Sequence, residues 1–296
     1  MERVSLFCFA ASYLVSLGLM GLWYARVTTL GQSGLRVASW LMSAAGLIAH
    51  SLYLWNWQPP LAWQFGGLLV LAWFLAAFHL YESAHPGRLA WSLFLLPLVL
   101  VLVGAAALFG PPTPEESGHI PGLFATGSLQ FWNRLHAVLL LAASVTMSLA
   151  FIASLMFLVR ARQLKAKMAP GKGLNLFTLE RLEVMNRRSV AVSFPLLSAG
   201  MGVGLGVLLI HADRLNGLSD PRVQATAGLW LTFVVLMVLR YGARFRGSSM
   251  AWMTIGAYLL LIVCLLLPHT LPTVSRENHL GPAQNAVGQE SGSPSP

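Results

Sequence analysis

The sequence predicts an all-α fold: a polytopic integral membrane helical bundle of about eight transmembrane helices, with both termini external. Three observations carry this reading. The 296-residue chain is 56% hydrophobic and only 10% charged, against about a quarter charged in an ordinary soluble domain. Its apolar residues fall into runs of about the 20 residues a helix needs to cross a bilayer core. Its basic residues alternate between abundant and sparse from one loop to the next.

Taken in order, the runs lie near 4–25, 35–56, 62–82, 89–109, 132–159, 189–210, 223–243 and 249–269. The first is longer than a signal-peptide core and no small-x-small cleavage site follows it, so it reads as a retained helix. After the fourth comes a Pro-, Gly- and acid-rich loop, "GPPTPEESGHIPGLFATGSLQ". After the fifth comes a long basic one. In that loop Leu176, Leu179, Leu182 and Met185 recur at helical spacing, with Glu180, Arg181 and Glu183 between them. A short amphipathic helix on the membrane surface fits, and so does a soluble stub leading into the sixth run. The sixth run, "FPLLSAGMGVGLGVLL", holds Pro195, a candidate kink. Its pairs Gly200/Gly204 and Gly202/Gly206 let helix backbones approach. The seventh begins Asp220-Pro221, where Asp220 can cap free amides and Pro221 suits a first turn. From about Pro272 the tail is polar and reads as disordered.

Orientation follows from Lys and Arg. The loops after runs one, three, five and seven hold 14 of the 19 basic residues, from Arg26 and Arg36 to Arg240, Arg244 and Arg246. Basic loops favour the cytoplasm. The net charge of +9 is therefore a topological signal and not a nucleic-acid footprint. The expected location is the cell inner or plasma membrane, multi-pass, with the lipid bilayer as first partner.

Two cysteines, Cys8 and Cys264, form no C-x-x-C, so disulfide scaffolds, zinc ribbons and thioredoxin-type motifs are unsupported. A thiolate ligand or a disulfide between them is conceivable; core packing is favoured. No H-E-x-x-H, G-x-S-x-G or P-loop occurs. The chemistry-bearing residues are histidines. His136 lies about a turn inside the external end of the fifth run, and His269 lies at the external end of the eighth. His50 is in the outer half of the second and His79 near the cytoplasmic end of the third. His85, His119, His211 and His279 belong to loops or the tail. A single membrane histidine is more often a packed or hydrogen-bonded one than a ligand. Two at one membrane level suit an axial pair for haem iron, another metal, or neither. Trp55, Trp57, Trp63 and Trp132 cluster at the same interface. They suit a macrocycle, and equally the aromatic belt of a membrane protein.

From about residue 131 to 270 the chain resembles cytochrome c assembly proteins of the CcsA/ResC type, and more closely their shorter HemX-like and YpjD-like relatives. Three pieces carry the likeness. They are "LHAVLLLAASVTMSLAFIASLMFL"; Leu179, Glu180 and Leu182 leading into "FPLLSAGMGVGLG"; and Asp220, Pro221 and Arg222 followed by Trp230 and Arg240. The departures are as specific. Where the family carries a tryptophan-rich external loop, this chain has "DRLNGLS"; Val223 replaces a glutamate, and Val238 a membrane histidine. The second external histidine sits in Leu-Pro-His-Thr and not Leu-His-Ser-Tyr.

The resemblance implies haem as cofactor, His136 and His269 as its external axial pair, and His50 as one deeper membrane histidine. It implies three regions: an N-terminal four-helix membrane region over 1–130, an assembly-like membrane domain over 131–270, and a tail over 271–296. It further implies a protein that binds and presents haem without catalysing a bond change, acting with a cytochrome c maturation partner and apocytochrome c. The alternative is a HemX-like non-catalytic partner or regulator of haem biosynthesis or of assembly-complex stability.

Overall fold

The computed structural model describes residues 2–25, 32–57, 64–84, 91–109, 128–167, 176–210, 221–241 and 247–266. They form eight α-helices: α1 (Glu2–Ala25), α2 (Gln32–Trp57), α3 (Gln64–Ala84), α4 (Ser92–Phe109), α5 (Ser128–Lys165), α6 (Leu179–Ile210), α7 (Pro221–Tyr241) and α8 (Ser248–Leu266). Seven are long and apolar enough to cross a membrane; α7 contributes a shorter apolar stretch, Val223–Leu239. The chain is a multi-pass helical membrane bundle.

Helix ends follow local chemistry. α2 stops just ahead of Pro59-Pro60, α3 ahead of Pro86-Gly87, and α4 ahead of Gly110-Pro111-Pro112, where proline lacks the amide a helix uses and disfavours helical geometry in the residue before it. Thr178 caps α6: its Oγ1 accepts from the amide of Arg181 at 3.4 Å. Glu180 in the first turn suits the positive end of the helix dipole. Gly247, at φ +75°, turns the chain into α8, a conformation that costs glycine little. Pro221 occupies the first position of α7 as expected; its expected cap, Asp220, lies outside the described residues. α6 runs on through Pro195, and α4 through Pro97.

α5 and α6 depart from the sequence reading in length. At 38 and 32 residues they span roughly 57 and 48 Å at 1.5 Å per residue, well beyond a core of about 30 Å. Nothing in "RARQLKAK" breaks the helix, so α5 carries Arg160, Arg162 and Lys165 past the apolar run. Residues from Leu179 onward are continuous with the sixth span and form no separate surface helix. Their apolar stripe faces protein: Leu182 is fully buried and Leu176 nearly so. Phe177, next to Leu176, packs edge-on against the buried ring of Trp91 at the start of α4.

Packing divides the helices into two sets of the same connectivity. α1, α2, α3 and α4 each touch the next, and α1 closes on α4. α5, α6, α7 and α8 repeat the pattern, with α5 closing on α8. The sets meet where α3 and α4 lie on α5 and α3 lies on α8. One continuous core runs through both, from Phe9 and Tyr13 to Phe233 and Tyr258. On α5, α6 and α8 the interior is pinned by Asn186, whose amide donates to the Ala150 carbonyl at 3.1 Å, Ser154 Oγ at 2.7 Å and Thr254 Oγ1 at 3.2 Å.

Candidate functional site: two buried histidine environments

His136 sits one turn above Leu140 on α5, facing the small-residue face of α6. The Gly200 carbonyl lies 2.7 Å from its Nδ1. A carbonyl only accepts, so Nδ1 carries the proton and, in the neutral ring, Nε2 keeps its lone pair. The approach depends on glycine. A Cβ at Gly204 would fall 2.6 Å from His136 Cε1 and 2.7 Å from Nδ1; one at Gly200 would fall 2.9 Å from Leu140 Cδ2. Gly202 and Gly206 meet nothing within 4 Å. Only the first of the two expected glycine pairs therefore makes a helix contact.

This donor set fits a haem-iron ligand in one respect that can be tested on the residues. Ligating histidines commonly give their second N–H to a carbonyl or carboxylate, which fixes the tautomer and raises the basicity of the coordinating nitrogen. His136 has that arrangement. Its proposed partner, His269, lies outside the described residues. Of the interfacial tryptophans, Trp55 and Trp132 turn outward, 77% and 45% exposed, as an aromatic belt does; Trp63 lies outside the described residues.

His50 belongs to a different environment. It is fully buried between α1 and α2. Its ring stacks on Phe9 with centroids 4.2 Å apart and planes 5° apart, and its Nδ1 lies 3.4 Å from the Tyr13 hydroxyl. Its Nε2 is sealed in the core with no hydrogen-bond partner among the described residues. No side of this imidazole is open to a macrocycle in this packing, and no described interaction joins it to His136. As a deeper haem residue His50 does not fit.

The polar residues around His50 were not singled out by sequence reasoning. Below Tyr13 on α1, Ser16 Oγ lies 2.7 Å from Ser43 Oγ and 2.9 Å from Ser39 Oγ on α2. Ser43 Oγ lies 3.0 Å from Nε2 of His79 on α3. His79 is 1% exposed, and its Nδ1 likewise has no partner among the described residues. A signal was present: Ser39, Ser43, Gly46 and His50 fall at helical spacing, a polar and small stripe on one face of an otherwise apolar helix.

The cysteines do not meet. Both are free; Cys264 is buried and its thiol donates to the Ala225 carbonyl at 3.5 Å, while Cys8, expected in the core, is exposed on α1. Trp230, in register with the family's helix tryptophan, donates its indole N–H to Ser198 Oγ at 3.0 Å and lies against Phe194. Val238, where the family has a membrane histidine, is 61% exposed. Arg240 lies at the end of α7.

No family model matches the chain, and no solved structure matches it. A relative described as an uncharacterized 28.8 kDa protein in the nifR3-like 5'region, from Azospirillum brasilense, is 28% identical over 246 residues. The match covers 74% of this chain and 85% of the relative.

Proposed function

We propose that this protein is a haem-handling membrane protein of cytochrome c biogenesis, binding or presenting haem near the external membrane face through His136 with His269. The observation that carries the reading is the bond from His136 Nδ1 to the Gly200 carbonyl, which leaves Nε2 as the free donor for a metal. Haem, when bound, supplies the redox and vinyl chemistry of attachment. The chain's own residues hold the imidazole in one tautomer and one orientation: Gly200 as acceptor, Gly204 as the space the ring fills. His50 takes no part.

A second reading rests on different residues. Trp230 is engaged in a helix-to-helix hydrogen bond, Val238 turns outward, and the loop before Asp220 has no aromatic residue. These favour a HemX-like partner that keeps the scaffold and acts through contact with an assembly complex.

Reduced-minus-oxidised spectra of the full-length protein, purified from haem-replete cells, separate the two. The first reading expects a Soret shift with α and β bands that disappear in His136→Ala or His269→Ala protein eluting as the wild type does. A colourless preparation sinks it. The second reading then expects deletion of the gene to lower the abundance of the assembly complex.

A further inference from the structure

We infer that the basic end of α5 is a docking site for the headgroups of anionic phospholipids, which surround it where it leaves the helical bundle. The inference is independent of the haem reading, since none of its residues takes part in that reading.

Three neighbouring helices begin at one level, and α5 does not stop there. α8 is entered through Gly247, where a Cβ would stand 3.9 Å from the Phe157 ring of α5. α6 begins at Leu179, just after Phe177, whose ring meets Trp91 at the start of α4. Asn186 fixes the antiparallel register of α6 on α5 through Ala150 and Ser154. At about 1.5 Å per residue that register sets Leu179 roughly level with Val159. α5 nevertheless continues to Lys165. The turn after it is closed by the Ala166 amide, which donates to the Arg162 carbonyl at 2.9 Å, and by the Lys167 amide, which donates to the Leu164 carbonyl at 3.1 Å. From Leu164 to Lys167 every residue is exposed, Ala166 included. From Val159 to Lys167 the chain advances roughly 12 Å. The polar layer on one side of a bilayer is about 5–8 Å deep, so this spur crosses the headgroups.

The spur is cationic and lacks internal compensation. It carries Arg160, Arg162 and Lys165, with Lys167 in the closing turn, while α5 contains no Asp or Glu along its 38 residues. None of these cations has a carboxylate three or four residues away along the chain, the spacing at which helical ion pairs form. Arg160 donates to Gln163 Oε1 at 3.3 Å, a neutral acceptor that leaves its charge in place. The first turn of α6 adds Arg181, exposed and stacked over the Phe177 ring at 4.4 Å. The carboxylates of this end of α6 are Glu180 and Glu183, fewer than the cations they accompany.

The layout suits a layer of headgroups better than one docked protein. Arg162 and Lys165, three residues apart, share one face of the spur, and Arg160 falls on the opposite face. An acidic protein seated on one side would leave the cations of the other unmatched. Headgroups meet the helix from every side. Leu164, on the Arg160 face, is 55% exposed among these charges, as a residue reaching the acyl boundary beneath the phosphates would be. Lys and Arg stems are long enough to adjust their charges to that depth.

The test is lipid preference. Full-length protein is reconstituted into phosphatidylcholine vesicles containing a trace of spin-labelled phosphatidylglycerol or of spin-labelled phosphatidylcholine. Electron spin resonance reads the motionally restricted fraction of each. The expected result is a preference for phosphatidylglycerol of about fivefold, which corresponds to about 1 kcal/mol, the effect of one cation near the surface. It is expected to weaken as salt is raised, because exposed charges are screened. Arg162→Gln/Lys165→Gln/Lys167→Gln is expected to lower the preference severalfold, and Arg162→Lys to retain it. Should the triple variant not reconstitute, Lys165→Gln alone is read in its place. Equal retention of the two lipids by the wild type, or an unchanged preference in the neutralised protein, overturns the inference. A wild type that retains both lipids equally while binding polyglutamate assigns the spur to an acidic protein and overturns it as well.

Discussion

The two most extensive helix pairs among the described residues, α1 with α2 and α5 with α6, bury different polar groups. At α1–α2 a serine cluster bonds both ways: Ser16 Oγ lies against Ser39 Oγ and Ser43 Oγ, Ser16 and Ser39 each donate to the other's carbonyl, and Tyr13 meets His50. At α5–α6 His136 bonds to the Gly200 carbonyl and Ser193 to the Ala143 carbonyl, while Asn186 donates to both the Ala150 carbonyl and Ser154 Oγ. The first cluster is built mainly of hydroxyl rotors with more than one partner each. In the second the Gly200 carbonyl, which can only accept, holds His136 in one tautomer. Two sets of helices with the same connectivity thus bury different polar groups, a serine cluster in one and a single oriented imidazole in the other.

The largest expected effect lies at α5–α6. In Gly204→Val the new Cβ would enter the space of the His136 ring, which cannot swing away without losing the Gly200 carbonyl. The substitution is expected to destabilise by about 1–3 kcal/mol, the usual cost of overpacking a filled interior, seen as a lower thermal midpoint in detergent. Gly202→Val, on a face where nothing lies within 4 Å, is the matched control, expected within about 0.5 kcal/mol of wild type. Equal losses at both positions would mean that α6 does not present Gly204 to α5.

That control also marks where the sequence stops being informative. The glycines at 200, 202, 204 and 206 are plain in the sequence, but residues two apart on a helix point roughly 200° away from each other. Both pairs cannot face α5, and only the partner helix decides which does. The same limit left two readings open for residues 176–185, a helix on the membrane surface or a stub leading into the sixth span. Leu176, Leu182 and Met185 belong to a period that a lipid surface or a protein groove satisfies equally well, and these three pack in or against the protein core. By contrast, the helix count and the ends at proline pairs were legible, because apolar length and missing amides act locally. The His136–Gly200 bond joins residues 64 apart, and no local rule contains it.

The second effect is intermediate and lies at the serine cluster of α1–α2. Ser16 and Ser43 bond directly, so a double-mutant cycle of Ser16→Ala and Ser43→Ala isolates their coupling. Interhelical hydrogen bonds in membranes average about 0.6 kcal/mol, with a maximum near 1.7; a value between these is expected here. Zero coupling would break the contrast, since the serines would then be independent packing residues.

The smallest effect belongs to Trp230, on the second set of helices, bonded side chain to side chain with Ser198. Trp230→Phe removes the indole N–H and keeps an aromatic ring against Phe194. Ser198 does not become an orphan, because its hydroxyl still donates to the Phe194 carbonyl at 2.9 Å. The loss is therefore one acceptor role and a little ring area, expected at about 0.5 kcal/mol or less. The loop before this helix lacks aromatic residues, so the indole's described polar role is to tie α7 to α6. If Trp230→Phe leaves stability nearly unchanged but abolishes haem absorbance, the indole touches the cofactor and the partner-only reading fails. If both are unchanged, Trp230 is packing, and the side-chain bond it makes is worth no more here than a single membrane hydrogen bond.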